Sequence, residues 1–240
     1  MIASPVFRRA DRISVVSTYL WNVLHDAIHT RTIDLEKKTV VLPMPVNSEV
    51  FKVSDETKRR PGSIITASRL TEQKRLDILI DAARMLTADG MDVTVEIYGD
   101  GPARGSLTNL VASQKLDNRI KIHEPVPQDV LAEKYRRSEI AVLVSEREGF
   151  GLTLPEAMLC GCAAVGSRSG GITDIISEEE QNGMLVEPGD SDSLYRVLKM
   201  LLTDREKLLN VQRRGTESAQ KRYSMKAGVS AFSELFNEMF

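Results

Sequence analysis

The sequence predicts an α/β protein built on a doubly wound parallel sheet, preceded by a short piece of a different unit. Three observations carry that expectation. Apolar strand-like runs recur from Ser63 to Val186 and alternate with segments of helical spacing, the pattern of parallel strands joined by crossover helices. The charged and glycine-rich residues fall directly after the strands, where doubly wound sheets bind ligands. Beyond Asp190, which reads as a helix N-cap, three helical segments follow one another.

Bulk properties narrow the function. The 240 residues are 42% apolar and 28% charged, ordinary for a soluble globular chain with a well-buried core. A formal net charge of −2 supplies no basic face for phosphate neutralisation, so no nucleic-acid partner is expected. The basic clusters Arg8, Arg9, Arg12 and Lys58, Arg59, Arg60 read as solvated surface. Cys160 and Cys162 stand too close for an ordinary disulfide and lack the second pair that zinc needs, so they read as small packing residues in a reducing compartment. No apolar run approaches the ~20 residues of a membrane helix, and the segment MIASPVFRRADR has no signal-peptide core. The expected location is cytoplasmic, with peripheral contact at the inner face of a membrane left open.

In chain order, Arg12–Ser17 reads as a strand, Thr18–His29 as a helix and Thr39–Leu42 as a second strand. Two strands and one helix cannot bury a sheet on both faces. This piece therefore packs on the rest of the chain, or its natural partner lies elsewhere. A polar connection, SDETKRRPG within it, leads to Gly62. Strands are expected at Ser63–Ala67, Val93–Tyr98, Arg119–His123, Ile140–Val144, Ala163–Gly166 and Met184–Val186. Helices are expected at Leu76–Leu86, Leu107–Gln114, Gln128–Arg136, up to Cys160, and at Ile172–Ile176. The closing helices are Ser191–Leu202, Glu206–Tyr223 and Met225–Phe240. The last carries Val229, Phe232, Leu235, Phe236 and Met239 on one face and calls for an apolar groove.

The stretch SEREGFGLTLPE, from Ser145 to Glu156, concentrates the chemistry. It sets Glu148 and Glu156 on either side of a Gly-Phe-Gly turn, between an apolar strand and a helix. Its glycines permit close approach of backbone amides to a ligand, and a helix N-terminus favours phosphate. Arg69 and Lys74 follow the first strand of the regular part and Gly99–Pro102 follows the second. Gly170 and Gly171 serve either close packing or close approach to phosphate.

The succession ASRLTEQKRLDILIDAARML, EIYGDGP, SEREGFGLTLPEAMLCGCAAVGSRSGG and NGMLVEPGD resembles the nucleotide-sugar-binding, C-terminal half of the retaining glycosyltransferases of GT-B fold, family 4 type. The likeness covers about residues 62 to 225. ADRISVVSTYL through TVVLPMPVNSEVF resembles the end of that family's first domain. The implied division is a remnant of the N-terminal acceptor domain at 1–50, a linker at 51–62, a Rossmann-like nucleotide-sugar-binding domain at 63–224 and a crossover helix at 225–240.

The resemblance implies a glycosyltransferase acting in glycan or glycoconjugate synthesis. Glu148, Arg69 and Lys74 form the implied catalytic set, with the two cations neutralising the donor diphosphate and Glu148 facing the transferred sugar. Glu156 would hold the ribose hydroxyls, and the amides of Phe150, Gly151 and Leu152 would meet sugar and phosphate. Val126 would hold the base, and Gly99 would lie near the ligand. The substrate is a UDP- or GDP-type sugar; no cofactor and no metal are expected. The other implied partner is an N-terminal acceptor domain or subunit outside these residues, which leaves open a fragment, a split-enzyme subunit or a reduced homologue. The alternative function is a non-catalytic nucleotide-sugar-binding or scaffold subunit.

Three departures from the family pattern are Ala163 for proline, Asp174 for glutamate, and His123-Glu124-Pro125 before the base-holding residue. Two metal-like patterns are set aside: Asp190-Ser191-Asp192 reads as helix capping, and His25 with His29 lacks a third ligand.

Overall fold

Helix Ser4–Arg9 (α1) leads into strand Ile13–Val15 (β1), which pairs in parallel with Thr39–Val41 (β2). Thr18–Ala27 (α2) and the single turn Leu35–Lys38 (α3) lie between them. The computed structural model describes residues 4–28 and 34–239; His29 and Phe240, expected at helix ends, lie outside the described residues. The first strand is shorter than its apolar run because Ser17 turns away to cap α2, its hydroxyl accepting from Leu20 N–H at 3.1 Å.

Among the described residues, six further strands form one parallel sheet. They are Ser63–Ala67 (β3), Thr94–Tyr98 (β4), Ile120–His123 (β5), Ile140–Leu143 (β6), Ala163–Ser167 (β7) and Met184–Val186 (β8), in the order β5-β4-β3-β6-β7-β8. The central strand β3 sets Ile64 beside Val95 on one side and Ile140 on the other. Strand periodicity then divides the core: Ile64, Val95 and Val142 point to one face, Ile65, Ala141 and Leu143 to the other. Leu76–Ala88 (α4), Arg104–Ser113 (α5) and Ser191–Thr203 (α9) cover the first face. Gln128–Arg137 (α6), Thr153–Leu159 (α7), Ile172–Ile175 (α8) and Arg205–Tyr223 (α10) cover the second. A sheet buried on both faces explains why its strands read as continuous apolar runs.

Residues 51–62 have no regular secondary structure but are anchored to this body. Phe51 is buried against Tyr135, and the Arg59 guanidinium donates to the carbonyls of Arg136 and Cys160 at 3.0 and 3.1 Å. Both cysteines are buried free thiols, and burial pushes Cys160 up to about 12, which leaves it protonated and inert. Met225–Met239 (α11) returns beside the first segment, where Gly228 packs so closely on Pro45 that an added Cβ would fall 2.5 Å from its ring. Val229, Phe232 and Phe236 stay exposed, so no groove among the described residues receives that face. No helix of the described residues is long and apolar enough to cross a membrane.

Candidate nucleotide-sugar site

The winding of the sheet reverses between β3 and β6. From β3 the chain moves outward through β4 to β5, then crosses to β6 on the opposite side of β3. The loops leaving these two strands diverge there and open a crevice. They are bound together across it: Glu146 N–H donates to the Gln73 carbonyl at 2.9 Å, the Gln73 side-chain amide donates to the Arg147 carbonyl, and Lys74 Nζ lies 2.5 Å from Glu148 Oε2. Glu148 also accepts from the Ser145 hydroxyl at 3.2 Å. Lys74 and Glu148 retain only 15% and 16% side-chain exposure, so neither is a freely solvated charge. Lys74 sits on a 3₁₀ turn, Glu72–Lys74, closed by Arg75 in the left-handed region at φ 47°.

Arg69, by contrast, is exposed, and no carboxylate among the described residues pairs with it. It borders a cavity of about 290 Å³ together with Tyr98, Gly99, Val126, Leu131 and Thr153. The lining is mostly apolar, as a flat heterocycle requires, and the Val126 N–H and C=O have no partner among the described residues. Three expected donor residues, Arg69, Gly99 and Val126, therefore meet around one cavity. Gly99 has a second duty: at φ 153° its Cβ position lies 1.9 Å from the Ser68 carbonyl oxygen, so only glycine lets the loops after β3 and β4 touch. Arg104 braces the same wall, donating to the Gly99 carbonyl at 3.0 Å and pairing with Glu124 at 2.9 Å. His123 stacks on Tyr98 with ring centroids 4.6 Å apart, so the departure at His123-Glu124-Pro125 shapes this wall.

The turn itself contributes amides. Phe150, Gly151 and Leu152 N–H donate to no acceptor among the described residues. Phe150 contributes only its backbone, because its ring packs edge-on against Tyr223 at 5.7 Å. Gly151, at φ 96°, has Leu143 Cδ2 3.0 Å from its Cβ position. Gly170 and Gly171 press against the turn from behind: their Cβ positions fall 2.2 Å from the Glu148 carbonyl oxygen and 2.5 Å from that of Gly149. The packing role expected for this pair is seen in these contacts. α7 has seven residues, so the turn amides matter more than a helix dipole.

Glu156 lies one turn beyond Thr153 on α7, on the same helical side as that lining residue. Its residue is 8% exposed, and no donor among the described residues reaches its carboxylate. Burial alone raises its pKa from 4.5 to about 7. A buried acceptor without a donor suits a ligand that brings hydroxyl hydrogens with it.

Several contributors were not legible in sequence. Tyr98, Leu131 and Thr153 line the cavity without belonging to a charged or glycine pattern. Ser17 donates to the Gly149 carbonyl at 2.6 Å; its position immediately before a helix was the available signal. Asp174 accepts from Thr18 N–H and so ties α2 to α8. Asp190 caps α9 by accepting from Ser193 N–H at 2.9 Å. His25 stacks on Trp21 at 3.6 Å, whereas its proposed partner His29 is outside the described residues. Among the described residues no group of three or more His, Cys, Asp or Glu side chains converges on a metal position.

Comparison with known proteins matches this architecture. The family model for glycosyl transferases group 1 aligns with residues 48–218. N-acetyl-alpha-D-glucosaminyl L-malate synthase of Bacillus anthracis is 30% identical over 176 residues, 73% of this chain and 45% of its own length. The GtfA subunit of a UDP-N-acetylglucosamine–peptide N-acetylglucosaminyltransferase from Limosilactobacillus reuteri is 34% identical over 151 residues, 62% of this chain and 28% of its own. Among solved structures, Anabaena HepE in complex with UDP and glucose superposes with a TM-score of 0.86 at 21% identity, over 99% of this chain and 66% of HepE. The chain spans less than half the length of these two curated relatives. With the family model covering most of its residues and the GT-B architecture repeated in its sheet, the chain belongs to the glycosyl transferases group 1 family, as a GT-B glycosyltransferase domain of family 4 type.

Proposed function

We propose that this chain is the donor-binding half of a retaining glycosyltransferase that moves a sugar from a nucleoside diphosphate to an acceptor hydroxyl. The observation that carries the reading is the convergence at the switch point, at the carboxyl ends of adjacent strands: a Lys74–Glu148 pair, with Arg69, the turn amides and the buried Glu156 all lacking partners among the described residues. The base enters the cavity beside Val126 and Tyr98, where one N–H and one C=O serve its edge. The ribose hydroxyls donate to Glu156. The diphosphate meets Arg69, Lys74 and the amides of Phe150, Gly151 and Leu152, which is the fixed positive field a leaving diphosphate needs as its charge grows. Glu148, held by Lys74 and Ser145, orients the hydroxyls of the sugar.

Transfer then breaks the bond between the anomeric carbon and the phosphate oxygen and forms one to the acceptor oxygen on the same face. The acceptor proton passes to the departing phosphate, so neither glutamate acts as a covalent nucleophile. The acceptor wall is supplied by a further domain or subunit. A second reading, a nucleotide-sugar-binding subunit of a heteromeric transferase, is favoured by relatives that are themselves named as subunits.

Isothermal calorimetry of the 240-residue chain with UDP, GDP and ADP tests the donor site: one nucleotide binds saturably, and binding by none of the three overturns the proposal. Transfer with retained anomeric configuration after an acceptor half is added, read by proton NMR, separates the catalytic reading from the subunit reading.

A further inference from the structure

We infer that Ser17, on the segment before the main sheet, is a positioning residue for the donor turn: it fixes the Gly149–Phe150 peptide so that the Phe150 amide is presented to the ligand. The inference rests on the donor-site reading for its purpose, but its geometry stands alone. Ser17 is fully buried, and its hydroxyl has both hydrogen-bonding roles filled. It donates to the Gly149 carbonyl at 2.6 Å and accepts from Leu20 N–H at 3.1 Å.

A trans peptide is planar, with its C=O and N–H pointing in opposite directions. Holding the Gly149 carbonyl against Ser17 therefore sends the Phe150 N–H the other way, where it meets no acceptor among the described residues. The preceding peptide is treated alike. The Glu148 carbonyl accepts from Gly171 N–H at 2.8 Å, so the Gly149 N–H also points away from its support. Two successive amides are thus aimed by two anchors, one from the loop after β7 and one from α2. Glycine at 149 and 151 leaves this turn with more backbone freedom than any other residue pair would, so the anchors have motion to suppress.

Asp174 gives an internal control. It caps the same helix at Thr18 without touching the Gly149 carbonyl. Loss of Asp174 loosens the helix start, whereas loss of Ser17 loosens the helix start and frees the peptide.

The test compares the wild-type chain with Ser17→Ala, Ser17→Thr and Asp174→Asn. In the free protein, Ser17→Ala should shift the Phe150 amide resonance and lower its backbone order parameter toward the flexible range, below about 0.6. Ser17→Thr should restore the wild-type values, and Asp174→Asn should leave them in place. With UDP as probe, Ser17→Ala should weaken binding severalfold while uridine binding is unchanged. An unaltered Phe150 amide in a folded Ser17→Ala chain overturns the inference. If Ser17→Ala does not fold, Phe150 disturbed equally by Ser17→Thr and Asp174→Asn overturns it instead, and a wild-type resonance in both supports it. Failure of the wild-type chain to bind UDP, GDP or ADP would remove the donor-site reading while the Phe150 amide still judges the geometry.

Discussion

Lys74 and Glu148 are separated by 74 residues of sequence and meet at 2.5 Å across the loops of adjacent strands β3 and β6. The ammonium is thereby held at the mouth of the crevice rather than left on a mobile surface arm. A charge-assisted hydrogen bond to phosphate is worth about 1.5–3 kcal/mol, so Lys74→Met should weaken UDP binding on the order of 10- to 100-fold. It should also lower stability by about 1–3 kcal/mol, because among the described residues a mostly buried carboxylate keeps only the Ser145 hydroxyl as partner. Calorimetry and urea unfolding read the two effects; unchanged affinity would show that the pair is purely structural.

Arg69 should separate binding from folding. It is exposed and lacks a carboxylate partner among the described residues, so Arg69→Ala should change stability by less than about 0.5 kcal/mol. UDP affinity should fall by roughly the same 10- to 100-fold as for Lys74→Met, with uridine affinity unchanged. Equal losses for uridine and UDP would move Arg69 from the diphosphate to the base.

Glu156 carries a pH signature. Its carboxyl is raised to about 7 by burial, so the folded chain holds a proton that the unfolded chain releases near 4.5. Between those values the folded state binds more protons, and stability falls as pH rises; above 7 the loss is complete, on the order of 3 kcal/mol. Glu156→Gln should flatten that slope. A nucleotide sugar, whose diphosphate does not titrate in this range, should bind about tenfold more tightly at pH 8 than at pH 6, since its ribose hydroxyls donate to the ionised form. A flat affinity profile across this range would contradict the ribose role.

Gly171→Ala tests the support of the turn without backbone strain, because Gly171 has φ −69°. The new methyl would fall 2.5 Å from the Gly149 oxygen and 2.8 Å from Phe150 Cα, so the turn must move. A cost of about 1–3 kcal/mol is expected from overpacking, with UDP binding reduced more than stability alone predicts. Full retention of UDP binding would show that the amides of the turn do not contact the ligand.

Most of the sheet was legible because its strands are buried on both faces. Ser63–Ala67 and Met184–Val186 begin and end where their residue runs do. Three brief elements were not legible: α1, α3 and the turn Glu72–Lys74 are too short to establish a period, whereas the equally short α8 was marked by its place between two strand-like runs. At the site, the motif residues Arg69, Lys74, Glu148 and Glu156 stand out as charged groups after strands. Their pairing does not, since nothing local in sequence brings Lys74 to Glu148 rather than to Arg69's side of the crevice. The same holds for Tyr98, whose place on the cavity wall comes from strand order and not from a pattern around it. Ser17 was placed at the end of a strand, and only the approach of Gly149 gives its hydroxyl a second partner.

The closeness of Gly99 to Ser68 and of Gly101 to Leu70 bears on redesign of nucleotide preference. With Cβ positions 1.9 and 2.4 Å from carbonyl oxygens, neither glycine accepts a side chain, so those two positions are closed to mutation. Pro125, Val126 and Leu131 also line the cavity and already carry side chains. Libraries aimed at exchanging one base for another belong there, and a library that also randomises Gly99 and Gly101 would spend diversity on chains that cannot close the loops after β3 and β4.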